Sequence, residues 1–303
     1  MSERQVTTVI DPERCTGCGL CVDVCPDQTI SMRDDKAVVT GKVSMQCGHC
    51  AAICPVEAIT VGAIDPAAQE FTTFQVDDRW VEYGKSDIRQ LVQLMRSRRS
   101  CRNYQTRKVP RELLEDLVKV AITAPSGTNS QKWSFTLLPD RSAVLALGEM
   151  IGQYFRQLNK LARKTLLRKA LKAIGKPGLD DYYHRHAETV AEALQEWDQT
   201  GRDRLFHGAP AVIVVGSRPG ASCPAEDALL ASQNLLLGAH CMGLGTCLVG
   251  FAVSALQQDP KIKSGLGIPA DEKIYAVIAV GYPDKIYQRA AGRKMPTVRV
   301  FES

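Results

Sequence analysis

Seven of the eleven cysteines in this 303-residue chain fall between Cys15 and Cys54. The first run reads Cys15-Thr-Gly-Cys18-Gly-Leu-Cys21-Val-Asp-Val-Cys25-Pro26. Three thiolates at three-residue intervals wrap a short loop around one metal centre, and Gly17 and Gly19 let the backbone come close to it. Shifted by 29 residues the pattern returns as Ser44-Met-Gln-Cys47-Gly-His-Cys50-Ala-Ala-Ile-Cys54-Pro55, with Cys18, Gly19, Cys21, Cys25, Pro26 and Ile30 all matched. An internal repeat of this kind implies two pseudo-symmetric halves.

The C-x2-C-x2-C-x3-C-P run resembles that of bacterial two-cluster ferredoxins, in which the last cysteine of each run ligates the other run's cluster. Carried over by position, the resemblance implies a 4Fe-4S cluster I on Cys15, Cys18, Cys21 and Cys54, and a cluster II on Cys25, Cys47 and Cys50. The fourth ligand of cluster II would come from position 44, which is serine. Three alternatives follow: Ser44 ligates through its oxygen, an outside group replaces it, or the corner iron is absent and the cluster is 3Fe-4S. A zinc ribbon also uses C-x2-C pairs, but with four ligands per metal, which seven cysteines with two C-x3-C-P endings fit badly. His49 occupies the slot of Leu20 in the other half and reads as a loop residue.

A second group of residues suits an anion. Arg98-Arg99-Ser100-Cys101-Arg102 places three guanidinium groups and a hydroxyl within five residues, and arginine offers paired donors that match phosphate oxygens. Further on, Ala124-Pro125-Ser126-Gly127-Thr128-Asn129-Ser130-Gln131-Lys132-Trp133 forms a polar turn whose amides can read the edge of a planar heterocycle. Together the two segments resemble the RRSxR and APSxxNxQxW segments of the FMN-dependent nitroreductase family. The resemblance extends through His207 to Gly216, Asp227 to Gly250, and Gly281-Tyr-Pro followed by Arg293-Lys294, and so spans roughly residues 86 to 295.

That resemblance implies FMN as cofactor. Arg98, Arg99, Ser100 and Arg102 would hold its phosphate and ribityl chain, helped by Arg293 and Lys294. Pro125, Ser126 and Gly127 would shape the turn, and Asn129 and Gln131 would contact the ring or ribityl hydroxyls. Val249, flanked by Leu248 and Gly250, sits where the family's backbone amide reaches flavin N5. No catalytic acid or base stands out, because the flavin carries the reaction and the protein orients it. The implied function is electron passage from the clusters to FMN and on to a small electrophilic acceptor such as a nitroaromatic, quinone or activated alkene. The alternative is a dedicated electron carrier serving a partner protein. The expected donor is an external low-potential protein such as a ferredoxin, with NAD(P)H as the other choice, and the family pairs as a homodimer with FMN at the subunit interface.

These residues need a scaffold of two parts. The sequence predicts an α+β protein: a small two-cluster ferredoxin-like domain over 1–65, a connector over 66–85 and a nitroreductase-like domain over 86–303, with a helical substrate-pocket insertion over 151–205. Ser86 or Asp87 can cap a helix carrying Ile88, Leu91, Val92, Leu94 and Met95 on one face. A second helix starts at Pro110. The apolar stretches Ala209 to Val215 and Ile274 to Val280 read as buried strands, too short to span a membrane. Ile151 to Lys176 carries eight basic groups and no acidic one, with Leu158, Leu161, Ala162 and Leu166 as an apolar stripe. It reads as a solvated face, or as a dock for the acidic head or an anionic substrate.

Residues 1–65 hold five basic and nine acidic groups, against 33 and 24 in the remainder. An acidic head on a basic body lacks the interleaved basic and aromatic stripe of a nucleic-acid binder, so no nucleic-acid partner is expected. Met1-Ser-Glu-Arg-Gln-Val has neither the basic start nor the apolar run of a secretory leader, which predicts a cytoplasmic protein. Cys101, Cys223, Cys241 and Cys247 carry no ligand spacing and read as inert thiols.

Overall fold

The computed structural model describes residues 4–302. Met1 to Glu3, part of the stretch read for a leader, lie outside the described residues. The fold is α+β. The N-terminal head runs through β1 (Thr8–Ile10), α1 (Leu20–Asp23), β2 (Ile30–Arg33), β3 (Lys36–Val39), α2 (His49–Ala52) and β4 (Ile59–Val61). β1 pairs antiparallel with β4, and β2 with β3. Each short helix follows a glycine in the left-handed region, Gly19 at φ 75° and Gly48 at φ 75°, which a side chain would resist. The head's core is Cys15, Cys21, Ile30, Ala37, Ala58 and Ile59. A core this small rarely holds a fold alone, so stabilisation by bound metal is the natural complement.

The connector is pinned rather than loose. Asp65 caps a 3-10 turn at Pro66–Gln69 by accepting from Ala67 N at 3.0 Å. Beyond it, the fully buried Asp116 accepts from the amides of Thr72 and Thr73 and from Thr73 Oγ1, the last at 2.6 Å. Lys119 Nζ donates to Glu70 O. The stretch expected to be a plain linker is therefore tied to the body at its first half.

The body continues through α3 (Ile88–Ser97), α4 (Arg111–Ala121), β5 (Trp133–Leu138), α5 (Arg141–Ala162), α6 (Thr165–Ala173), α7 (Gly178–Arg185), α8 (Ala187–Thr200), β6 (Ala211–Ser217), α9 (Pro224–Cys241), β7 (Gly245–Leu248), α10 (Gly250–Gln258), α11 (Pro260–Gly265) and β8 (Lys273–Gly281). Its sheet has the order β5-β6-β8-β7, with every neighbour antiparallel. β6 is buried along its whole length because the sheet is covered on both faces. Val212 and Val214 enter one core with Leu147, Ile151, Phe155 and Leu256. Ala211, Ile213 and Val215 enter the other with Leu114, Leu117 and Leu235. Such doubly buried strands read as continuous apolar runs. Among the described residues no helix is long and apolar enough to cross a membrane.

Two expectations need correction. The basic stripe of the insertion is not a single helix: α5 ends at Ala162, and α6 begins only at Thr165. The break swings Leu166 into solvent, 85% exposed, while Ala162 is buried with Ile151, Phe155 and Asn159, Leu158 packs against the same core, and Leu161 is exposed. Its charges are partly internal. Arg168 pairs with Asp180 at 2.7 Å and stacks on Tyr183, and Arg156 pairs with Asp198 at 2.6 Å. The second correction concerns α3. Asp87 caps it as expected, but its apolar stripe of Ile88, Leu91, Val92 and Met95 is exposed in the single chain.

Candidate cluster cavities and flavin site

The cysteines sort themselves into two cavities. Cys15, Cys18, Cys21 and Cys54 line one, and Cys25, Cys47, Cys50 and Ser44 line the other. The partition is the one the ferredoxin resemblance implied, with the last cysteine of each run lining the cavity of the opposite half. Among the described residues, no three His, Cys, Asp or Glu side chains converge tightly enough for a single metal ion. Thiols that ring a space are the donor set of an iron-sulfur cluster.

The electrostatics agree with that fit. Burial raises the Cys21 and Cys50 thiols, and neighbouring thiols add to the effect. Such groups do not ionise together unless a cationic centre sits among them. Backbone amides of Ala37 and Gly17 lower Cys15. Matching N–H bonds reach the two exchanged sulfurs: Thr29 N to Cys25 Sγ and Ala58 N to Cys54 Sγ, both at 3.2 Å. Hydrogen bonds to ligating sulfurs are one of the levers that set cluster potentials. Ser44 is buried at the second cavity, where its Oγ accepts from Gln46 N at 3.0 Å.

The arginine segment lies against the edge strand β7. Ser100 forms a parallel bridge to Thr246, and Cys101 N donates to Thr246 O at 2.8 Å. Tyr104 anchors the segment's end, its hydroxyl donating to Ala279 O at 3.2 Å. Burial pushes that hydroxyl far up, so it remains a neutral donor. Burial, with the charges of Arg293 and Arg99 adding to it, pulls the Arg98 guanidinium down. The tail arginine thus returns to the motif across nearly 200 residues. Among the described residues none of Arg98, Arg99, Arg102 and Arg293 has an ion-pair partner, and guanidinium groups gathered in this way suit an anion such as a phosphate. Lys294 is exposed nearby in sequence. Arg99 and Arg102 also line a cleft of about 900 Å³ between α3 and the C-terminal segment.

Beside this corner the Val249 amide differs from expectation. It donates to Val277 O at 2.8 Å and is therefore spent within the sheet. The amides left free are those of Gly250 and its successors in the first turn of α10, as helix geometry requires. Leu248 is half-exposed at the same edge. His207, which the sequence reading passed over as a site, sits at φ 56°. Burial lowers its imidazole, with Asp203 opposing and the Arg102 charge assisting. The only sequence signal was a histidine before Gly-Ala-Pro.

The polar turn lies elsewhere. Pro125, Ser126 and Gly127 lead into a stretch where Thr128, Asn129 and Gln131 all have positive φ, 51°, 53° and 47°. Buried Asp227 of α9 anchors it, accepting from Gly127 N at 2.8 Å and Ser130 Oγ at 3.2 Å. Trp133 Nε1 donates to Asp227 O at 3.0 Å. Asn129, expected to contact a flavin, gives its amide N–H groups to the head: Nδ2 donates to Met45 O at 2.9 Å and Gln46 O at 3.2 Å. Its Oδ1 accepts from Gln131 Nε2 at 2.9 Å.

Sheet register separates the two segments. The turn enters β5 at Trp133, level with Ser217 and Lys273, whereas Thr246 is level with Val280 on the opposite edge strand. Seven residues along the strands and three strand spacings across amount to roughly 23 Å by roughly 14 Å. One copy of the chain thus holds them at diagonally opposite corners.

Two thiol-lined cavities in an acidic head and an arginine anion site on a doubly covered antiparallel sheet define an iron-sulfur oxidoreductase class. Comparison with known proteins gives the family. The Nitroreductase family profile matches residues 95–282 and a 4Fe-4S binding domain profile matches residues 8–31; the chain belongs to the Nitroreductase family. It is similar to a 4-nitrobenzoate reductase of Nocardioides sp., 28% identical over 206 residues, covering 63% of this chain and 79% of the relative. It is also similar to an iodotyrosine deiodinase of Thermotoga neapolitana, 26% identical, covering 65% and 90%. Among solved structures it shares the fold of a Bacteroides fragilis nitroreductase with bound FMN: TM-score 0.51, 21% identity, 70% of this chain and 99% of that one. The protein is an FMN-dependent oxidoreductase with a 4Fe-4S head.

Proposed function

We propose that the protein takes electrons one at a time into its head and delivers them to a small electrophilic acceptor at the body, the acceptor being a nitroaromatic, quinone or activated alkene. The observation that carries this reading is the joint presence, in one chain, of a four-cysteine cavity, a second cavity lined by three cysteines and Ser44, and a cluster of Arg98, Arg99, Arg102 and Arg293 with no ion-pair partner among the described residues. When bound, the clusters supply one-electron carriage, and FMN supplies the redox chemistry that meets the acceptor. Arg98, Arg99, Ser100 and Arg102, with Arg293 and Lys294, hold the phosphate. Leu248, Val249 and Gly250 flank the ring and offer the Gly250 amide. Cluster I is the all-cysteine 4Fe-4S site, and cluster II is completed by Ser44 or lacks its corner iron.

The diagonal placement of the two flavin segments supports a homodimer in which one copy contributes the arginine corner and the second copy contributes Pro125, Ser126, Gly127 and Gln131. The exposed stripe of α3 supports the same arrangement, since an apolar helix face of this kind calls for a partner. Domain limits of 1–65, 66–85 and 86–303 describe the parts, with the connector pinned on Asp116. Comparing the intact protein with a chain starting at residue 66, which keeps that connector, tests the reading. Reduced ferredoxin should drive turnover only in the intact protein. Full activity of the shortened chain with that donor, or equally rapid reduction of both by NADPH, would refute it.

A further inference from the structure

The head meets the body at a particular cluster loop. Asn129 Nδ2 donates to Met45 O and Gln46 O, and the next residue, Cys47, lines the second cysteine cavity. The pseudo-symmetry of the head shows how unusual this is. Gly17, the counterpart of Gln46, is covered by the head's own β2–β3 turn, where an added Cβ would lie 2.1 Å from Asp35 O. Around Gln46 the cover comes from the body. Lys36 Nζ further closes the first loop by donating to Cys15 O, while Cys18 on that side is exposed.

Both loops at the junction are held in costly conformations. Gln46 sits at φ 54°, facing Thr128, Asn129 and Gln131 at 51°, 53° and 47°. Non-glycine residues persist in this region only where their surroundings over-determine them. Here they do: Asp227 fixes the body loop, and Gln46 Nε2 donates to Gln5 O at 2.7 Å. The Gln131 amide orients Asn129 through its Oδ1.

We propose that Asn129 is a positioning residue that fastens the Cys47 loop to the body, making the Cys25, Cys47 and Cys50 cavity the side from which electrons leave the head. The inference rests on the electron route proposed above. It gives that route a direction: an external one-electron donor meets the exposed Cys18 side, and each donor molecule is oxidised by one electron as one electron leaves at the Cys47 side. Two such passages and two solvent protons make up a two-electron reduction of the flavin. Hydrogen-bonded contacts around a metal site commonly change its activity about 10- to 100-fold when removed.

The test uses the full-length holoprotein, anaerobically, with Asn129→Ala, Asn129→Asp and Gln131→Ala, and with Thr73→Ala as a control on the connector. Iron and flavin content, the electron paramagnetic resonance of the reduced clusters and the rate of flavin bleaching by reduced ferredoxin are measured. Expected are native iron, an altered signal from the Cys25 side only, and bleaching slowed about 10- to 100-fold in both Asn129 variants, most in Asn129→Asp, whose carboxylate faces two carbonyls. Gln131→Ala, at an exposed site, should alter the Cys25-side signal in the same direction even if an Asn129 variant loses iron through misfolding, and its flavin content separates this effect from loss of a flavin contact. Native signals and native bleaching in Asn129→Ala and Gln131→Ala, or an effect of Thr73→Ala as large as theirs, overturn the inference. If reduced ferredoxin fails to bleach the flavin of the unaltered protein, the proposed function itself is wrong.

Discussion

Replacing Asp227 by alanine should destabilise the body by about 3 kcal/mol. The carboxylate is 3% exposed and accepts from Gly127 N at 2.8 Å and Ser130 Oγ at 3.2 Å. A hydrogen bond to a charged group is worth about 1.5–3 kcal/mol. The shorter bond belongs at the upper part of that range and the longer one near its floor. Truncation also leaves the Gly127 N–H without its partner, although relief from holding a buried carboxylate offsets part of the loss. The net value corresponds to a fall in melting temperature of about 6–12 °C for a body of this size, at about 2–4 °C per kcal/mol. Differential scanning calorimetry of the full chain reads it. Asp227→Asn separates the hydrogen bonds from the charge, since its carbonyl oxygen still accepts from Gly127 and its amide can donate to Ser130. That variant should recover most of the difference. An alanine variant melting within about 1 °C of the native protein, or an asparagine variant as unstable as alanine, would refute the anchoring role.

Arg98→Ala and Arg102→Ala should each weaken FMN binding by about 1.5–3 kcal/mol, or on the order of 10- to 100-fold, measured by fluorescence titration of the apoprotein; unchanged flavin affinity would remove the phosphate assignment. Cys18→Ala should abolish the cluster I resonance while leaving the cluster II signal, and two ordinary all-cysteine 4Fe-4S signals in the native protein would mean that a cysteine outside the repeat replaces Ser44. Asp116 is pulled upward by burial, yet hydrogen bonds from Thr73 and Thr72 and the charge of Lys119 hold it below its ordinary value. Its contribution is therefore present above the unfolded carboxyl value of about 3.9 and lost as pH falls below that through the folded value. Hydrogen exchange at Thr72 and Thr73 should accelerate on acidification in that window and stay unchanged between pH 6 and 8.

The parts of this molecule that were legible in its sequence are those in which chemistry imposes spacing. A cluster needs thiolates at fixed intervals, which made the ferredoxin resemblance recognisable, and that resemblance assigned Cys54 and Cys25 to opposite cavities before any coordinates. Strands buried on both faces need unbroken apolar runs, which made β6 and β8 visible. Asp87 announced α3 because a cap is a local contact. Contacts to backbone carbonyls carried no such signal. Every residue has a carbonyl, so nothing about Met45 or Gln46 advertises a partner 84 and 83 residues away. Asp227 was hidden for the same reason: its partner at Gly127 is an amide 100 residues distant.

The misread stripe over 151–176 has a different cause. Leu166 joins the face of Leu158 and Ala162 only if the helix is continuous, and the two-residue break at Arg163 and Lys164 rotates everything after it. No proline or glycine marks that break, so periodicity overran it. The flavin segments show the opposite hazard, in which nearness along the chain conceals distance in space. Only a short helix and its flanking turns lie between Arg102 and Pro125, yet sheet order puts their neighbours Thr246 and Trp133 on opposite edges. In the homodimer proposed above, one flavin meets both segments because two copies of the chain bring opposite corners together. The exposed α3 stripe lies beside the arginine corner, lining the same cleft through Ile88 and Val92. The proposed interface therefore covers the apolar face of α3 and the arginine corner together, since both line one cleft.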